Sequence, residues 1–157
     1  MDIEAKLQEL SSLQKAVEDK NTEIQEYLKS QLIPFIKQSG GRCEYDGYSS
    51  TINIIIDDKD KECEFIELLS KACGLSGFYH FGVEVAPGVS FNYDDGVLSV
   101  RFRFSGKAAE IKEKFKQGIK LLKELGIRVD FTKAIGDQKI TIFKAEQRIK
   151  ELNELFQ

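Results

Sequence analysis

Tyr93-Asp94-Asp95-Gly96-Val97-Leu98-Ser99-Val100-Arg101-Phe102-Arg103-Phe104 reads as a tight turn feeding a strand. Asp95-Gly96 supplies the turn. Leu98, Val100, Phe102 and Phe104 then alternate with Ser99, Arg101 and Arg103, so one strand face is apolar and the other polar. Strands of this kind build a mostly antiparallel sheet covered on one face only. An earlier stretch repeats the order. Tyr45-Asp46-Gly47 is the turn, and Ile52, Ile54 and Ile56 alternate after it. Each strand leads into an amphipathic helix and a short returning strand, marked by Val83 and Val85 in the first copy and by Val129 and Phe131 in the second. The spacing predicts two ββαβ pseudo-repeats, 43–86 and 89–132, and a possible internal duplication that rests on pattern more than on identities.

The helix of the first copy spans about 60–73, with Phe65, Ile66, Leu69, Ala72 and Cys73 on one side. That of the second spans 107–125, with Ile111, Phe115, Ile119 and Leu122 on one side. Beyond the repeats, Ile140 and Ile142 alternate and predict a strand over 139–143. A final helix carries Ala145, Ile149, Leu152 and Phe156, so 139–157 reads as strand then helix.

Before the repeats, residues 2–38 lack glycine and contain no helix breaker until Pro34. Placing Leu7 at heptad position a puts Leu7, Gln14, Asn21, Leu28 and Phe35 at a, with Ile3, Leu10, Val17, Ile24 and Gln31 at d. A polar residue at a costs stability but fixes register, and Asn21 suits a parallel dimer. The reading is a coiled coil over 1–38 ahead of a globular α+β domain, 39–157. A homodimer forms through residues 2–31, with Leu7, Leu10, Val17, Asn21, Ile24 and Leu28 in the seam. Thr22-Glu23-Ile24-Gln25 has the form of a capping box, and it leaves a competing hairpin of helices 2–18 and 23–37.

Composition narrows the class. Of 157 residues 41% are apolar and 31% charged, ordinary for a globular protein. No run of apolar residues is long enough for a membrane helix, and the N-terminus lacks a basic, then apolar, leader. The expectation is an intracellular, cytoplasmic protein without membrane contact. Three cysteines (Cys43, Cys63, Cys73) form no C-x-x-C pair, so neither a disulfide framework nor a metal site is expected. Net charge is unevenly spread. Residues 1–100 hold 9 basic and 18 acidic side chains, and residues 101–150 hold 14 and 6.

Chemistry-bearing patterns are sparse. His80 is the sole histidine and sits on a strand facing away from the core, where it could contact a ligand or carry a proton. No nucleophile elbow, phosphate loop, dinucleotide fingerprint or zinc helix occurs. The acids Asp57, Asp58 and Asp60 are best explained as capping the helix they precede. Arg101, Arg103 and Arg128 should share the uncovered sheet face, where planar guanidinium donors suit phosphate or carboxylate. With His80, they are the candidate anion-binding residues.

The expected function is a non-enzymatic protein-binding or adaptor module dimerised by its N-terminal coil, with no catalytic residue, metal or cofactor. A nucleic-acid or other polyanion binder, using the basic sheet face and the lysine-rich helix 107–125, is the alternative. A small-ligand protein with its pocket between the repeats is the third reading.

Overall fold

The computed structural model describes residues 2–46, 51–74, 80–103 and 107–156. The expected turn at 47–50, the glycine-bearing stretch 75–79, Phe104 and Ser105-Gly106 lie outside the described residues. The elements follow in the order α1 (Ile3–Gln38), β1 (Arg42–Asp46), β2 (Thr51–Ile55), α2 (Lys59–Cys73), β3 (His80–Ala86), β4 (Val89–Asp94), β5 (Val97–Phe102), α3 (Ala108–Glu124), β6 (Val129–Asp130) and α4 (Thr132–Leu155). The class is α+β, with helices on one face of a six-stranded sheet ordered β3-β4-β5-β2-β1-β6.

The two ββαβ units leave a trace in that order. Exchanging β1, β2, β3 for β4, β5, β6 returns the same order read from the opposite edge. Strand direction breaks the correspondence. β3 turns through Pro87-Gly88 straight into β4, and so short a connection forces an antiparallel pair. β6 arrives beside β1 only after α3 has crossed over, and it runs parallel.

One row of residues shows how the apolar face is built. Tyr45 pairs with Ile52, Ile52 with Val100, Val100 with Phe91, and Phe91 with Val83. All but Tyr45 are buried, and the row meets α2 through Phe65, whose ring lies 6.2 Å from that of Phe91. α3 covers the neighbouring part. Phe115 contacts both Tyr45 and Phe102, at ring separations of 5.4 and 5.8 Å.

α1 is one helix, not a hairpin. Asp2 caps it by accepting from the Glu4 and Ala5 amides at 3.1 and 3.3 Å. Thr22, the expected second cap, donates its hydroxyl back to the Glu18 carbonyl at 3.0 Å and stays inside the helix. The wider apolar patch Leu32, Ile33, Phe35 and Ile36 at the end of 1–38 is expected from sequence to dock on the globular part, and Leu32 and Ile36 are buried in its core. The last turns of α1 thus belong to the globular unit.

The strand expected over 139–143 is instead helix. α4 runs unbroken from Thr132, its start fixed by Asp130, whose carboxylate accepts the Thr132 amide at 2.8 Å. Alternating Ile140 and Ile142 look strand-like alone, but alternation earns a strand only beside a sheet edge. Here Thr141 bonds back to the Asp137 carbonyl at 2.9 Å, as a helical threonine does.

Candidate functional site

The helix-free sheet face carries a polar row through all six strands: Asp130, Glu44, Asn53, Ser99, Asn92 and Gly82. Ser99 at its centre is buried. A Cβ at Gly82 would collide with the side-chain oxygen of Asn92, which would have to swing aside. The Asn92 amide in turn donates to the Ser90 hydroxyl at 2.8 Å.

The register brings His80 opposite Asp94, and Asp94 lies across from Val97. Asp94 ties two candidate residues together: one carboxylate oxygen meets His80 Nδ1, and the other accepts from Arg101 at 2.8 Å. The Arg101 guanidinium first, and His80 second, hold the Asp94 carboxyl below the usual carboxylate range. Arg103 is engaged by Glu84 at 2.7 Å. Arg128 lies elsewhere. It precedes β6, three strands from β5, roughly 14 Å away in sheet spacing. The structure therefore joins His80 to Arg101, gives Arg103 its own acid, and leaves Arg128 apart. Sequence reading treated Asp94 as turn chemistry and missed its role; the cross-strand register is what reveals it.

Among the described residues, shallow grooves flank this sheet. One of about 470 Å³ lies between the β5 end and α3, lined by Phe102, Arg103, Lys114, Gln117, Lys120 and Glu124. Another, about 370 Å³, opens at the junction of the two ββαβ units, where β2 and β5 part beyond Asn53 and Ser99. Ile55, Asp57, Glu62 and Val97 line it, and His80 does not. Among the described residues no group of three or more His, Cys, Asp or Glu could hold a metal ion. The Cys43 thiol is buried, and burial pushes it up to about 12, so it stays protonated and inert. Among the described residues no helix is long and apolar enough to cross a membrane.

The second feature is the stripe along α1. Ile3, Leu7, Leu10, Val17 and Ile24 are 51–69% exposed, with Asn21 exposed among them. Leu28, expected in the same seam, packs instead against the core. A third surface was half visible in the sequence. Once 132–155 is one helix, Ile135, Ile142 and Ile149 fall seven residues apart and join Leu152, all uncovered. The seven-residue spacing was the available signal, masked by the strand-like 139–143. No family model, curated protein or solved structure matches this chain.

Proposed function

We propose that this chain is a non-catalytic protein-binding module, an adaptor that self-associates through the projecting part of α1 and presents its α+β domain more than once. One observation carries the reading. Residues 3–24 leave the domain as a continuous capped helix whose heptad apolar residues are exposed. Soluble chains seldom leave such a stripe without a partner. Against catalysis stands the state of the His80 cluster on the open face, where His80 and Arg101 both turn to Asp94. Two linked domains bind a repeated or symmetric partner more tightly than one, with no new contact.

Light scattering of the full chain tests this. The expected mass is twice 17.8 kDa. The double variant Leu10→Glu, Val17→Glu should fall to the monomer mass with unchanged circular dichroism. A wild-type monomer at tens of micromolar would sink the proposal.

Polyanion binding is the second reading, favoured by the basic side chains Arg103, Lys114 and Lys120 around one groove, where Arg103 pairs with Glu84 and Lys120 with Glu124. Binding to an oligonucleotide that weakens steeply with salt would support it. Salt-insensitive or absent binding would remove it.

A further inference from the structure

The stripe that projects from the domain is the same stripe that docks on it. Ile3, Leu7, Leu10, Gln14, Val17, Asn21 and Ile24 continue at helical spacing into Leu28, Leu32, Phe35 and Ile36. The latter four pack into the core. α2 lies antiparallel along this docked end. Phe35 meets Phe65 at a ring separation of 5.6 Å, while Gln25, ten residues earlier on α1, sits beside Gly74, which ends α2. From Ile24 back to Ile3 the apolar side chains of the stripe are exposed.

We infer that a second copy of α1 covers these side chains, parallel and in register, and that the pairing stops at Ile24 because α2 holds the stripe from Gln25 onward. This rests on the self-association proposed above. The covered length is then three heptads, roughly 33 Å, shorter than the 2–31 read from sequence.

Three properties of the stripe select a parallel copy of itself. Gln14 and Asn21 occupy a positions, and a buried amide without a partner is costly. In a parallel, in-register pair each faces its own counterpart and can bond it. In an antiparallel pair an a position faces a d position, so both amides would stand against Ile3, Leu10 or Val17. The flanks agree. Across a parallel pair Lys6 faces Ser11, Leu13 faces Glu18, and Lys20 faces Gln25, with no like charges opposed. Finally, the interface continues packing that already exists. The second copy extends the line of α2, and the two helices part where each enters its own domain.

Disulfide mapping on the full chain tests orientation and limit together. In a Cys63→Ser, Cys73→Ala background that keeps the buried Cys43, one further cysteine is placed by Asn21→Cys or Gln31→Cys, and folding is checked by circular dichroism. Asn21→Cys should cross-link to itself at least about tenfold faster than Gln31→Cys, since a disulfide needs Cβ atoms about 4 Å apart. Equal rates would overturn the limit at Ile24. Mixing Ile3→Cys with Ile24→Cys chains checks direction, and preferential cross-linking between the two variants would overturn the parallel arrangement. Light scattering on the same samples separates the layers. A monomer throughout defeats self-association itself, whereas a dimer with the wrong cross-links defeats only the geometry inferred here.

Discussion

Leu10 and Leu32 stand on the same stripe of the same helix, yet Leu10 is 51% exposed and Leu32 is fully buried. Their residue type, helix and neighbouring periodicity are alike. What differs is the cover. Leu32 lies under α2 and the sheet, whereas Leu10 lies beyond the end of α2 at Gly74. One apolar pattern thus does two jobs: it anchors α1 to the domain at one end and remains available to a partner at the other. A heptad therefore reports that a helix has something to bury, but not whether its own chain buries it.

Truncating both leucines breaks the comparison most sharply. Leu32→Ala should destabilise the fold by about 2–5 kcal/mol, the usual cost of a cavity in a packed core. Leu10→Ala should change fold stability by no more than about 0.5 kcal/mol while weakening association. Urea midpoints at low protein concentration, set beside light scattering, measure the two effects. Similar midpoints for the two variants would mean that the docked end is not anchored as described.

The boundary itself is tested at Gly74. Its φ of 73° lies in the left-handed region, and a Cβ there would collide with the Gln25 side-chain amide. Gly74→Ala should cost about 1–2 kcal/mol from the backbone conformation. Adding Gln25→Ala should recover little, because the long glutamine side chain can move aside. Full recovery in thermal melts would show that crowding against α1, not the turn at the end of α2, sets the cost.

The smallest effect comes from pH. Glu67 on α2 accepts a hydrogen bond from Lys71 at 2.6 Å, and that bond first, then the lysine charge, lowers its pKa. A lowered folded-state pKa stabilises above the unfolded value, about 4.3, and that contribution disappears as pH falls through the folded value. The pair is exposed, so the contribution is small. Carboxyl chemical shifts followed by NMR should show Glu67 titrating below the ordinary glutamate range. In Glu67→Gln, the docked and projecting ends of α1 should both remain as they are.

Much of the fold was legible because local pattern and tertiary role agree. Ile52, Ile54, Leu98, Val100 and Phe102 alternate, and their apolar sides do face the helices. Asp58 precedes α2 and caps it by accepting the Asp60 amide at 2.9 Å. The misreadings share a cause. Ile140-Thr141-Ile142 has strand-like residues but lies inside α4, and Leu28 has seam spacing but packs against the core. The candidate face was partly legible: alternation placed His80 and Arg101 on one side of the sheet. Nothing local could show that Asp94 lies between them, because that depends on which strands pair and in what register.

The sequence by itself determined most of the elements before α4, their apolar faces, and the heptad stripe of α1, since these follow from helix and strand periods acting over a few residues. The wider patch Leu32, Ile33, Phe35 and Ile36 already marked the docking end, and tertiary structure decided that the cover reaches back to Leu28. It also set the strand order that survives exchange of the two units, the direction of β6, and the ion pairs that hold Arg101 and Arg103. These depend on contacts between residues distant in the chain, and a residue's own neighbours carry no information about which distant surface will cover it.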